Sequence, residues 1–338
     1  MSVVIGWDIG GAHLKAARVV NGKIEKTAQA ATPLWLGLGT LHSAFAEMKE
    51  QMGHSDAHAL TMTGELCDAF ASRREGVVNL AAVAIQHLAP ASIRFYAGSA
   101  GFVASALVET HAAEIASANW RATAEVVALR VCDALLIDLG STTADIIPGA
   151  AGKLAPVGAD DAQRLAAGEL VYTGMTRCFV MAMARRAPFG GVWTPLMNEY
   201  FASSADVYRI LGVLPDGADM MMAADGREKT TAASCARLAR MVGREVDDAD
   251  AHEWRALARW FAEGQTRDIC DAAWLRLSRG DLGADAPVVA AGIGESIVAE
   301  VARRLGRSWR TFAALFDAPA EVSYCAPAAA VALLAAAL

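Results

Sequence analysis

The sequence predicts an α/β protein built as two related lobes with a cleft between them. Three observations carry that reading. The chain has 338 residues, about twice the length of a typical domain. A strand, an Asp-x-Gly turn and a returning strand open the chain, and the pattern recurs about 130 residues later in LLIDLGSTTADIIPGAAGKL. Around both copies, short apolar runs alternate with stretches of helical spacing. A duplicated hairpin implies lobes of common design, each placing a glycine turn at strand ends, where open α/β sheets bind their ligands.

Taken in order, Val3 to Trp7 is a buried strand, Asp8-Ile-Gly-Gly11 a turn, and His13 to Val20 the returning strand. Asn21-Gly22 is a hairpin signal, and Lys23 to Ala28 a third strand. Thr40 to Gln51 has helical spacing, Ala57 to Thr63 reads as a strand, Arg74 to Leu88 as an amphipathic helix and Ile93 to Ala97 as a strand. Glu109 to Arg130 reads as one long helix, closing a first lobe of residues 1–131. The second lobe, 132–325, starts with the repeated hairpin. Residues 157–186 are expected to be largely helical, 187–230 irregular, and 231–281 helical with Trp254, Trp260 and Trp274 as core anchors. APVVAAGIGESIVAEVARRLG is a buried strand, a Gly-x-Gly turn and a helix, and residues 326–338 form an Ala-rich helix expected to pack back on the first lobe.

Composition narrows the function. Apolar residues make up 54% and charged residues 20% of the chain, which excludes a disordered protein. No apolar run approaches the roughly 20 residues of a spanning helix. A formal charge of −7 argues against nucleic acid and anionic membrane as partners. Cys67, Cys132, Cys178, Cys235, Cys270 and Cys325 stand at least 35 residues apart, so they suggest neither a zinc site nor a redox pair and are expected as reduced thiols. The opening MSVVIGWDIGG carries no cation before Lys15, unlike a secretory leader, so a cytoplasmic protein is expected.

The turns carry the chemistry. A phosphate approaches a backbone closely only where side chains are missing, and consecutive amides at such a turn form an anion-binding concavity. Gly10 and Gly11 supply that approach. Asp8 at the strand end would repel phosphate directly, so its role is to hold Mg²⁺ through water, while Lys15 adds positive charge. The second turn brings Asp138, Gly140, three hydroxyls in Ser141, Thr142 and Thr143, and a second carboxylate in Asp145. Hydroxyls bind phosphate oxygens without burying a cation. Gly292 and Gly294 complete a third phosphate-type or nucleotide-type element.

In order and kind, these elements resemble the phosphate-1, phosphate-2 and adenosine motifs of the actin, Hsp70 and sugar-kinase ATPase superfamily, a two-lobed ribonuclease H-like fold, over essentially the whole chain. More narrowly, VVIGWDIGGAHLKAA, RLAAGELVYTGMTR, EYFASSADVYRILGVLP, ADGREKT and ARLARMVGR resemble the hydantoinase/oxoprolinase-like proteins of tetrahydromethanopterin-linked C1 transfer. That group includes the furanmethanamine synthases of methanofuran and methylofuran biosynthesis.

The resemblance implies a transferase that joins an aminomethylfuran diphosphate to the phenol of tyramine or tyrosine, forming an aryl ether and releasing pyrophosphate. ATP is admissible but not required. Mg²⁺ at Asp8 and Asp138, with donors at Gly10, Gly11, Gly140 and Ser141, would stabilise charge growing on the diphosphate. For the base that accepts the phenol proton, two carboxylates stand open. Glu169 is the first candidate, because GELVYTGMTR places it with Tyr172, Thr173 and Arg177 at spacings compatible with one face; Asp145 is the second. Arg227 and Lys229, in a polar segment after Met220 to Met222, are candidates for a lid that meets substrate anion. Two rival readings remain: an ATP-dependent small-molecule kinase or hydantoinase-type enzyme, and a non-catalytic nucleotide-binding partner.

Overall fold

The computed structural model describes residues 2–338. In chain order the strands and helices are β1 (Val3–Ile9), β2 (His13–Val20), β3 (Lys23–Ala31), α1 (Gly39–Met52), β4 (Ala57–Met62), α2 (Arg73–Leu88), β5 (Ser92–Tyr96), β6 (Phe102–Ala104), α3 (Ala112–Ile115), α4 (Asn119–Arg130), β7 (Ala134–Leu139), β8 (Ala144–Ala150) and β9 (Lys153–Leu154). They continue as α5 (Asp161–Ala167), β10 (Leu170–Val171), α6 (Val180–Met183), β11 (Arg186–Phe189), β12 (Val192–Pro195), α7 (Ser204–Leu211), α8 (Thr231–Met241), α9 (Ala251–Leu277), β13 (Val288–Ala291), α10 (Glu295–Arg304), β14 (Trp309–Thr311) and α11 (Ala326–Ala336). The chain forms two compact units. One comprises Met1–Leu136, Ile147–Ala155 and Arg310–Leu338, and the other Ile137–Ile146 and Pro156–Trp309.

In the first unit a six-stranded sheet runs in the order β3-β2-β1-β4-β5-β6. β1 is antiparallel to β2 and parallel to β4, so it lies inside the sheet, and all seven of its residues are buried. Such a strand reads as a continuous apolar run. β3 is an edge and carries Lys23, Glu25 and Lys26 toward solvent, which blunts pairing with another chain. Asn21 and Gly22, both at positive φ (49° and 77°), make the tight β2–β3 turn. The core gathers Ile5, Trp7, Phe45, Leu60, Leu80 and Phe95. Trp7 donates its indole N–H to His58 Nδ1 at 3.1 Å, and the other ring nitrogen of His58 lies 3.0 Å from Ser55 Oγ. With Nδ1 accepting, the proton sits on Nε2 and is donated to Ser55.

Helix α11 packs on β1, where Gly6 makes the approach possible: a Cβ there would stand 1.9 Å from the Ala328 carbonyl oxygen. The single helix expected over 109–130 is instead two. α3 ends at Ile115, Ser117 takes a positive φ of 53°, and its hydroxyl donates to Glu65 Oε1 at 2.8 Å. A tertiary hydrogen bond at that bend outweighs helical periodicity.

The second sheet has the order β10-β8-β7-β13-β14, with β9 paired to β8. In the second unit α9 runs 27 residues from a capping box of Asp250 and Glu253, a stop-and-start chemistry that separates it from α8. Trp254 on α9 is buried, whereas Trp274 is 52% exposed and is not the core anchor expected of it. The expectation of a largely helical 157–186 also fails. Only α5 and the single turn α6 are helical there. Gly168 ends α5 in the left-handed region at φ 70°, and residues 175–177 give their amides to the Gly140 and Ser141 carbonyls instead of to a helix.

Candidate functional site: two glycine turns at strand ends

In the first unit, the β1–β2 register sets Asp8 directly opposite Lys15, and the β1–β4 register sets Asp8 beside Thr61. The turn closes with Gly10 N–H donating to His13 O at 2.9 Å. A Cβ on Gly11 would meet nothing within 4 Å, so this part of the loop is open to an approaching group. The side away from the opening is braced: Thr63 N–H donates to Ile9 O at 3.0 Å, and Leu34 N–H to Gly11 O at 3.1 Å. Asp8 is 5% exposed and Lys15 is partly exposed. Glu65, next to this brace, is a buried carboxylate.

In the second unit, the β7–β8 turn is tied by Gly140 N–H to Thr143 O at 2.9 Å. The loop 173–177 lies directly against it. Met175 N–H donates to Gly140 O at 3.0 Å, and Thr176 and Arg177 N–H both donate to Ser141 O, at 3.1 and 2.9 Å. In a trans peptide the C=O and N–H point to opposite sides. Two consecutive carbonyls engaged on one side therefore aim the amides of Ser141 and Thr142 together toward the other, the geometry of an anion nest. Arg177 also reaches Thr142 Oγ1 with Nη1 at 3.4 Å. Asp138, the penultimate residue of β7, is 8% exposed. Gly292 has φ 80°, and a Cβ on it would stand 2.2 Å from Leu139 O and 2.6 Å from Asp138 Oδ1. Gly294 N–H donates to Leu139 O at 3.0 Å. Asp138, Gly140, Ser141, Thr142, Thr143, Arg177, Gly292 and Gly294 are thus brought together around one strand end.

Other candidates stand apart from that turn or are engaged elsewhere. Asp145 is paired with Arg164, whose Nη2 lies 2.6 Å from Oδ1 and whose side chain is 2% exposed. Burial pushes the Asp145 carboxyl up from the usual carboxylate range, against the pull of that guanidinium. Glu169 is fully buried. Its carboxylate accepts from Val157 N–H at 2.7 Å and Gly158 N–H at 3.0 Å, and lies 3.4 Å from Arg276 Nε. It does not share a helix face with Tyr172, because β10 intervenes and Tyr172 points outward at 62% exposure. Lys229 donates to the Asp219 carbonyl at 2.7 Å and Arg227 is exposed. Among the described residues, no cluster of three His, Cys, Asp or Glu side chains is arranged to hold a metal by itself, and no helix is long and apolar enough to cross a membrane. The six cysteines are all free thiols, three buried, two partly buried and Cys132 exposed.

Sequence reasoning did not single out the partners Arg164 and Arg276, nor the buried network around Asp206. Arg237 Nε and Ser234 Oγ each donate to Asp206 Oδ1 at 2.8 Å, Arg237 Nη1 reaches Asp225 at 3.0 Å, and Arg209 bridges Asp206 and Asp219. The Ser203-x-x-Asp206 spacing was the available signal, since Ser203 and Asp206 form a capping box at the start of α7. That spacing predicts the cap but not the two arginines.

The profile of the hydantoinase/oxoprolinase family matches residues 56–337. A protein of Methanocaldococcus jannaschii, named (4-{4-[2-(gamma-L-glutamylamino)ethyl]phenoxymethyl}furan-2-yl)methanamine synthase, is 30% identical over 241 residues, covering 71% of each chain. A protein of the same name from Methanococcus vannielii is 29% identical over 119 residues, 35% of this chain and 53% of its own. Among solved structures, component A of (R)-2-hydroxyglutaryl-CoA dehydratase from Acidaminococcus fermentans covers 100% of both chains at 13% identity with a TM-score of 0.48. With the family profile spanning most of its length and a relative at this identity, the chain belongs to the hydantoinase/oxoprolinase family.

Proposed function

We propose that this protein is a furanmethanamine synthase, a transferase that displaces the diphosphate of an aminomethylfuran diphosphate with the phenol oxygen of a tyramine-type acceptor. The names of its relatives support this reading. The observation that carries it in the molecule is the β7–β8 turn, whose Gly140 and Ser141 carbonyls are held by the amides of residues 175–177, an arrangement that leaves the Ser141 and Thr142 amides for an anion.

In the reaction the bond between the furfuryl carbon and the diphosphate oxygen breaks, with its electron pair leaving on the diphosphate. The phenol oxygen forms the new C–O bond and its proton is released, giving ether and pyrophosphate. The furan ring delocalises positive charge at the reacting carbon, so stabilising the leaving anion is the main demand on the protein. Ser141, Thr142 and Thr143 supply amides and hydroxyls, and Arg177, held on this turn through its own N–H, supplies positive charge. Asp138 at the β7 end and Asp8 at the β1 end are buried carboxylates beside glycine turns, which fits hard oxygen ligation of Mg²⁺. Bound Mg²⁺ would supply further neutralisation of diphosphate charge. Lys15, opposite Asp8 on β2, adds a cation at the first turn. An unperturbed phenol has a pKa of about 10, so an acceptor proton must pass to a base or to water as the bond forms. Asp145 and Glu169, engaged by Arg164 and Arg276, are assigned to holding loops.

Incubation with aminomethylfuran diphosphate, Mg²⁺ and tyramine, its γ-glutamyl amide or tyrosine, with mass detection of the ether and assay of pyrophosphate, tests the reading. Ether with stoichiometric pyrophosphate and no nucleotide is the expected result. ATP-dependent phosphorylation of a small molecule without ether would replace it with a kinase.

A further inference from the structure

Phe179 and Tyr200 form an aromatic pair that the folding core does not consume. Their ring centroids are 4.3 Å apart at an interplanar angle of 43°, and they remain 41% and 42% exposed. The pair thus leaves aromatic surface open to a planar ligand. The position of the pair is fixed by backbone bonds. Phe179 bridges Ser203, Cys178 N–H donates to Ser204 Oγ at 3.1 Å and Val180 N–H to Ala202 O at 3.0 Å. This short ladder joins the segment after Arg177 to the start of α7, four residues beyond Tyr200. Arg177, two residues before Phe179, is itself anchored to Ser141 and Thr142. Phe179 therefore follows by two residues the segment whose amides brace the anion turn, and Tyr200 packs on it from the segment leading into α7.

We propose that Phe179 and Tyr200 form the subsite for the aromatic ring of the phenolic acceptor. The inference rests on the synthase reading above and adds residues to it. In a displacement, the attacking oxygen and the carbon bearing the diphosphate must come within about 3–3.5 Å. The acceptor ring then lies about one ring's length from the diphosphate, and the pair that begins two residues after Arg177 supplies aromatic surface to receive it. Offset or tilted contacts with two rings hold a planar phenol firmly in orientation while demanding little of its tail. Burial, followed by the charges of Asp206 and Asp219, raises the pKa of the Tyr200 hydroxyl above the ordinary tyrosine value against the opposing pull of Arg177 and Arg237. Tyr200 thus stays protonated at neutral pH, able to donate a hydrogen bond without competing as a phenolate nucleophile.

The test is steady-state kinetics of ether formation with both substrates varied, on wild type, Phe179→Ala, Tyr200→Ala and the ring-retaining Phe179→Tyr and Tyr200→Phe. The alanine variants are expected to raise the acceptor KM about tenfold or more while leaving the diphosphate KM within about twofold, and the ring-retaining variants to stay within about threefold of wild type on both. An acceptor KM unchanged in both alanine variants, or acceptor and diphosphate KM rising together, overturns the subsite while wild-type ether formation leaves the synthase reading standing. If the alanine variants do not fold, a ring-retaining variant that alters the acceptor KM as strongly as the diphosphate KM also overturns it. Absence of ether with the wild-type enzyme overturns both.

Discussion

Gly174 is packed against Ser141 so closely that a Cβ on its α-carbon would stand 2.4 Å from the Ser141 carbonyl oxygen and 2.4 Å from the Thr142 nitrogen. Both are backbone atoms, so they cannot yield by changing rotamer. This contact lets the 175–177 amides reach the turn and aim its own amides the other way. Gly174→Ala should therefore push the two loops apart, costing about 1–3 kcal/mol of stability and lowering kcat/KM. Urea unfolding and steady-state kinetics check the two effects; a variant with wild-type stability and wild-type activity would show that the turn does not depend on the contact.

Asp8 and Asp138 are the penultimate residues of β1 and β7, beside their glycine turns. Asp8→Asn and Asp138→Asn conserve size and are expected to keep the fold while each lowers Mg²⁺-dependent turnover by about 100-fold or more. Circular dichroism reports the fold and a Mg²⁺ titration of activity reports the role. Wild-type Mg²⁺ dependence in both variants would refute the assignment.

Glu169 is fully buried and receives two backbone amides and Arg276. Removing one partner of such a pair leaves an uncompensated buried charge, costing about 3–5 kcal/mol. Glu169→Gln should accordingly lose stability in chemical denaturation while its pH–rate profile keeps the shape of the wild type. Full stability with a large fall in kcat would instead make Glu169 the base.

His58, between Trp7 and Ser55, is kept neutral: burial, with a smaller contribution from Lys49, lowers its pKa to about 4. In the unfolded chain it titrates near its ordinary value of about 6.5. On acidification the unfolded chain takes up the proton first. The stability that His58 contributes is therefore complete above about pH 6.5, declines as pH falls and is exhausted below about pH 4, a loss of roughly 3 kcal/mol. Urea unfolding of wild type and His58→Gln across this range checks it. The wild type should show the extra decline and the variant should not; parallel curves would place the titrating group elsewhere.

The parts of this site that local chemistry dictates were legible in the sequence. A positive-φ Asn21-Gly22 turn, a buried β1 and a Gly pair after Asp8 each follow from residues adjacent in the chain, and the glycines at 140, 292 and 294 do converge on one strand end. The expected helix over 157–186 was not there, because its amides are worth more to the Gly140–Ser141 carbonyls than to a helix ending at Gly168. Likewise Glu169 and Asp145, the two carboxylates open in the sequence as the base, are each paired with a buried arginine.

By itself the sequence determined the family, the alternating α/β order and the two glycine turns, since side-chain absence, backbone preference and hydrophobic period act over a few residues. Only the tertiary structure decided which charged groups are committed. Arg164 reaches Asp145 from 19 residues away, Arg276 reaches Glu169 from α9, and Arg177 is set on Thr142 from 35 residues away. Such pairings depend on which elements pack together, and the energy of a buried charge depends on the partner that packing brings to it.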